Sequence, residues 1–115
     1  MTLDPTAMAR LLEITGDDVA FVDELVDTFI EDAATQLDAL RSARDAGDIE
    51  AVIRPAHSLR SNAANVGATV LGDLCRALEV DARAGDVPDL AARIAAVEAE
   101  TDGVRQGLLA ERSAR

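Results

Sequence analysis

The sequence predicts an all-α protein: an antiparallel up-down four-helix bundle with a short additional helix at its N-terminus. Three observations predict it. Apolar residues make up 49% of the chain and aromatic ones only 2%, so the core must be built from Leu, Val, Ile and Ala. That mixture, rich also in Glu, Asp and Arg, favours helices. Apolar positions recur at steps of three and four through four segments. Short links bearing Gly and Asp divide those segments, and short links favour antiparallel neighbours. A chain of 115 residues is of single-domain length, so residues 1–115 are expected to form one bundle around one ordinary core.

The short first helix is placed near residues 5–14 and ends at the stretch TGDD (15–18), which offers Asp17 as the N-cap of the next. Nothing then breaks the chain as far as AGD (46–48). Val22, Leu25, Val26, Phe29, Ala33, Leu37 and Leu40 fall on one helical face. The helix they define would be on the order of 40 Å long. Gly47 suits the C′ position and Asp48 the following N-cap. The third segment runs from Ile49 to about Val66 and stops at Gly67. Pro55 conflicts with it locally, because a helix-interior proline removes a hydrogen bond and crowds the preceding turn. A kink, or a restart just before His57, is expected there. Thr69 is placed as the cap of a segment carrying Leu71, Leu74, Cys75 and Leu78 and ending near Gly85. Pro88 reads as a first-turn proline of the last helix, which carries Leu90, Ile94, Val97, Val104 and Leu108. Residues 110–115 are expected to fray.

The formal charge of −11 argues against a nucleic-acid partner, which needs basic stripes, and against an anionic membrane surface. No apolar run approaches the ~20 residues of a membrane span. The opening MTLDPTAMAR has neither the basic start nor the apolar stretch of a signal peptide. The single cysteine forms no internal disulfide, and no Cys/His spacing suits a metal. A cytoplasmic protein is expected.

One histidine remains to be explained. In the third segment Val52, Ala56, Leu59, Ala63 and Val66 share a narrow arc. At about 100° per residue His57 lies well round from it, on the flank of the bundle. Arg60, Ser61 and Ala64 follow at i+3, i+4 and i+7, on the same side. Two of the three are small, and a bulky residue at 61 would shield the ring. Two readings stand on the residues alone: a solvated bystander on a helix of small, closely packing side chains, or an imidazole kept accessible for chemistry.

Residues 56–68 read AHSLRSNAANVGA, with Leu74, Cys75, Leu78 and Glu79 downstream. Upstream stand LDPTAMARLLEITGDD and a long acidic helix with VDTFIEDAATQLDALRSA. Together these resemble the histidine-containing phosphotransfer domain family, the relay modules of two-component signalling, over essentially the whole chain. The departures are small. The family's frequent Lys three residues after the histidine is Arg60, in a chain with no Lys at all, and Arg holds a phosphoryl group in a fork. The frequent Gly four residues on is Ser61, which narrows access without closing it. Asn62 replaces a small residue on a face turned away.

The resemblance implies that His57 accepts and donates a phosphoryl group, exchanging it with the aspartate of response-regulator receiver domains, and that a hybrid histidine kinase is a further partner. Imidazole suits that role because much of it is unprotonated at neutral pH, whereas an amine is not. A carboxylate that holds the proton on one ring nitrogen frees the other. Glu79, 22 residues beyond His57, takes that place in the resemblance, although a solvated Glu is an equal alternative. Arg60 would steady the phosphoryl oxygens. Arg83 and Arg76 would add positive potential, and Ile53, with Met8 or Leu11, an apolar rim for docking. Cys75 is in phase with the core. The protein is thus expected to be a monomeric carrier rather than an enzyme, without cofactor or metal of its own; magnesium belongs to the receiver. A kinase enzyme is disfavoured, since Ser58 stands where an acidic residue usually follows the histidine and no Gly-rich ATP-binding region follows. A receiver-binding scaffold without phosphotransfer and a helical dimerisation module remain as alternatives.

Overall fold

A computed structural model describes residues 12–14, 16 and 18–113. Residues 12–14 are helical, and the rest of the expected N-terminal helix, with Met8 and Leu11, lies outside the described residues. Four helices follow: α1 (Val19–Ala46), α2 (Glu50–Asn65), α3 (Thr69–Arg83) and α4 (Leu90–Ser113). At ~1.5 Å per residue the 28 residues of α1 span about 42 Å, which accounts for the 44 Å long axis of the molecule.

The cross-helix bonds show the antiparallel order. Asn62 on α2 bonds Asp32 on α1, His57 on α2 meets Glu79 on α3, and Arg93 on α4 donates to Asp81 on α3 at 2.7 Å. Each pair lies symmetrically about the turn that joins its two helices. Arg41–Glu98 at 3.0 Å and Arg112–Asp27 at 2.6 Å tie opposite ends of α4 to α1 and close the bundle. Inside it, Val26, Leu40, Val52, Leu59, Leu71, Ile94, Val104 and Leu108 are fully buried. No helix among the described residues is long and apolar enough to cross a membrane.

The helix ends correct several details. Asp18 caps α1, its carboxylate accepting from the Phe21 N–H at 3.0 Å, in place of the neighbouring Asp17. Gly47 takes the left-handed conformation (φ 63) that ends α1, and the Asp48 carboxylate then accepts from the Ala51 N–H at 3.2 Å. Helix α2 is unbroken through Pro55, whose side chain is buried, so the chain does not restart before His57. Thr69 is already inside α3: the turn through Gly67 (φ 71) places Ala68 at the N-cap, with no side-chain cap. Pro88 stands before α4 rather than in its first turn, separated from Leu90 by Asp89 at φ 55. Helix α4 continues to Ser113, where the Arg112 ion pair holds its last turn against α1.

Candidate functional site

The site forms where α2 and α3 lie side by side, the most extensive helix–helix interface of the bundle. The core stripe of α2 turns Val52, Ala56, Leu59 and Ala63 inward, which leaves His57 on the flank with its side chain 56% exposed. On α3 the stripe Leu71, Cys75, Leu78 and Ala82 does the same. Glu79 follows Leu78 and therefore sits at the edge of that stripe, facing α2. Its side chain is only 6% exposed, so the solvated alternative does not hold.

A buried carboxylate needs partners, and among the described residues Glu79 has three. Its oxygens lie 3.1 and 3.2 Å from Nδ1 of His57. Arg83, one turn further along α3, donates from Nε at 3.0 Å and Nη2 at 2.9 Å to one oxygen, a fork on a single atom. Arg60 on α2 donates from Nη1 to the other at 3.3 Å. Burial pushes the Glu79 carboxyl up; hydrogen bonds from Arg83, His57 and Arg60 outweigh it and hold the group below its ordinary value.

That balance assigns the histidine tautomer. An ionised carboxylate only accepts hydrogen bonds, so Nδ1 of His57 must carry the hydrogen. In the neutral ring Nε2 then holds a lone pair. Among the described residues Nε2 has no hydrogen-bond partner. The arrangement is chemically that of a nucleophile whose tautomer is fixed from behind.

The remaining candidates fall at varying distances from this centre. Ser61 and Ala64 are exposed, one and two turns beyond His57, and leave the ring open on that side. Ile53, one turn before it, is half-buried and packs on the core. Arg76 bonds to none of the site residues; it faces Arg60 across a shallow groove floored by Ala63, Ala64, Ala68 and Gly72. Arg83 is drawn in more closely than general positive potential requires, and its i,i+4 spacing from Glu79 is the sequence signal for that contact. Asn62 points away, to α1, as expected. Cys75 is fully buried, and burial pushes its thiol up to about 12, so it is a core side chain. Among the described residues no cluster of His, Cys, Asp and Glu suits a metal ion.

The Hpt domain family model matches residues 24–107. The crystal structure of histidine-containing phosphotransfer protein B (HptB) from Pseudomonas aeruginosa PAO1 superposes with a TM-score of 0.87 at 34% identity, covering 99% of this chain and 96% of that one. No curated protein matches the chain.

Proposed function

Because the chain belongs to the Hpt domain family, a histidine phosphotransfer intermediate of phosphorelays, we propose that His57 is its phosphoryl carrier. The observation that supports this most directly is the buried Glu79 carboxylate on Nδ1, with Nε2 unpartnered among the described residues on a half-exposed ring.

The family works with receiver domains and kinases of two-component systems, so the donor is an aspartyl phosphate. The Nε2 lone pair attacks its phosphorus; the N–P bond forms as the P–O bond to the aspartate breaks, and the electron pair leaves with the carboxylate. The ring keeps the Nδ1 hydrogen and becomes a phosphoryl-imidazolium, whose positive charge lies against Glu79. That charge makes neutral imidazole a good leaving group in the reverse step, so the carrier donates as readily as it accepts. Arg60 bonds the carboxylate and stays partly exposed three residues after His57, and on this reading it turns part of its guanidinium to the phosphoryl oxygens. Ser61, Ala64 and Ile53 leave room for the receiver, and Arg76 lends charge across the groove.

The carrier needs no cofactor of its own: magnesium, held by the acidic pocket of the receiver, offsets the phosphoryl charge there. It works as a monomeric carrier rather than an independent enzyme, in the cytoplasm, without nucleic acid or membrane.

Incubation with a phosphorylated receiver domain tests this. An acid-labile, alkali-stable label is expected on the wild type and absent from His57→Gln. No label on the wild type, across the receivers of the same genome, would leave a receiver-binding scaffold in its place.

A further inference from the structure

Glu79 is shared. The same carboxylate that fixes the His57 ring receives the fork from Arg83, whose side chain is otherwise 58% exposed and has no other partner among the described residues. A surface arginine of this kind has two available roles. It can face a docking partner directly, or it can act inward, through the carboxylate it covers. Both of its donated hydrogen bonds go inward.

We propose that Arg83 is a positioning residue for the His57 nucleophile: by neutralising Glu79 it keeps an additional proton off the Glu79–His57 pair and so preserves the free lone pair on Nε2. This rests on His57 being the phosphoryl carrier. The physical argument concerns where a proton goes when Arg83 is removed. The Glu79 carboxylate is desolvated, and without the fork its negative charge is less well compensated. A proton then enters the pair. If it enters on Glu79, the carboxyl group becomes a donor to Nδ1, and the ring's own hydrogen moves to Nε2. If it enters on the ring, Nε2 is protonated directly. Both destinations remove the nucleophile, and they are two microstates of one coupled titration.

Among the described residues the charged groups that bond Glu79 are few. Its own helix supplies Arg83, and α2 supplies His57 and Arg60. Helix α4, the other element packed on α3, presents Arg93, which is engaged with Asp81. Arg60 at 3.3 Å makes a single, longer bond to the oxygen that the fork does not occupy. Arg83 is therefore the stronger of the two cationic partners, and Arg60 alone does not replace it.

Because the chain has one histidine, a single ring reports the proton. The test is a nitrogen-15 NMR titration of the His57 ring in the full chain, comparing wild type, Arg83→Gln and Arg83→Lys. Alongside it, uptake of phosphoryl from phosphoramidate is followed across pH. This small donor transfers to Nε2 with loss of ammonia and needs no docking. In Arg83→Gln the titration midpoint is expected to rise by about half a unit, an arginine effect reduced for exposure. Uptake should fall about threefold below that midpoint and rejoin the wild type at high pH, and Arg83→Lys should restore both. An unmoved midpoint would overturn the proposal, and so would a fall in uptake of equal size at every pH. A raised midpoint in a protein that takes phosphoryl from phosphoramidate but exchanges none with any receiver would refute the relay reading alone.

Discussion

Glu79 concentrates the consequences of the site in one side chain. It is a charged group on the edge of an apolar stripe, and it is held there because three donors compensate its desolvation. Glu79→Gln keeps an acceptor for Nδ1 but removes the charge that favours the phosphoryl-imidazolium. Phosphoryl transfer from a receiver to this variant is expected to slow by roughly tenfold, about 1.4 kcal/mol of charge stabilisation lost, and stopped-flow transfer measures it. The same carboxylate makes stability depend on pH. Its folded value lies below the ordinary one of 4.5. Between the two, the unfolded chain binds the extra proton, so stability rises with pH across that window. The contribution is fully present above about 4.5 and is lost as pH falls through the folded value. Urea unfolding at a series of pH values should show that loss in the wild type and a shallower one in Glu79→Gln. Equal slopes would mean that the cluster does not favour the ionised form.

The helices make a different kind of prediction, because two glycines respond oppositely to the same change. Gly47 ends α1 at φ 63, with open space where a Cβ would stand. The cost of Gly47→Ala is therefore conformational alone, about 1 kcal/mol of destabilisation. Gly72 lies inside α3, where an added Cβ would meet the Ala63 Cβ at an ordinary 3.8 Å. Gly72→Ala should stabilise by about 0.5–1 kcal/mol through helix propensity. Denaturation midpoints of the two variants decide it, and a common sign would refute the assignment of one. The helices were legible because Val26, Leu59 and Leu71 repeat with their neighbours at the helical period, and burial follows period closely. Their starts were less so. Asp17 and Asp18 are chemically equal as caps, and only the backbone geometry chooses between them. Thr69 looked like a cap because it is the right residue type; the turn through Gly67 sets the start one residue earlier. At the site, helical phase alone put His57 on the flank. It could not pair His57 with Glu79, since that depends on how α2 and α3 lie against each other. The resemblance supplied the pairing, and the fork from Arg83 was present only as an i,i+4 spacing.

For the whole molecule the governing quantity is the charge of −11, and it is unevenly spread. Between residues 18 and 46 stand eight acidic residues and two arginines, most of them on the exposed faces of α1. The site carries Arg60 and Arg83 on one buried carboxylate, with Arg76 across a groove from Arg60. Salt acts differently on these two regions. The exposed pairs Arg41–Asp38 and Arg105–Asp102 each contribute about 0–1 kcal/mol and weaken as salt is added. The uncompensated acidic charge repels itself through solvent, and that repulsion is screened once the Debye length falls to ~10 Å or below. Eleven unbalanced charges outweigh a few marginal pairs, so Tm at neutral pH is expected to rise by a few degrees between about 0.02 and 0.5 M sodium chloride. The Glu79 cluster is held at short range with its carboxylate out of water, and screening reaches it poorly. The His57 ring should therefore keep its nitrogen-15 tautomer signature over the same salt range. A Tm that falls would show that the surface pairs, and not the net charge, dominate. A tautomer that changes with salt would show that solvent reaches the carboxylate, which could not then hold the ring as the structure has it.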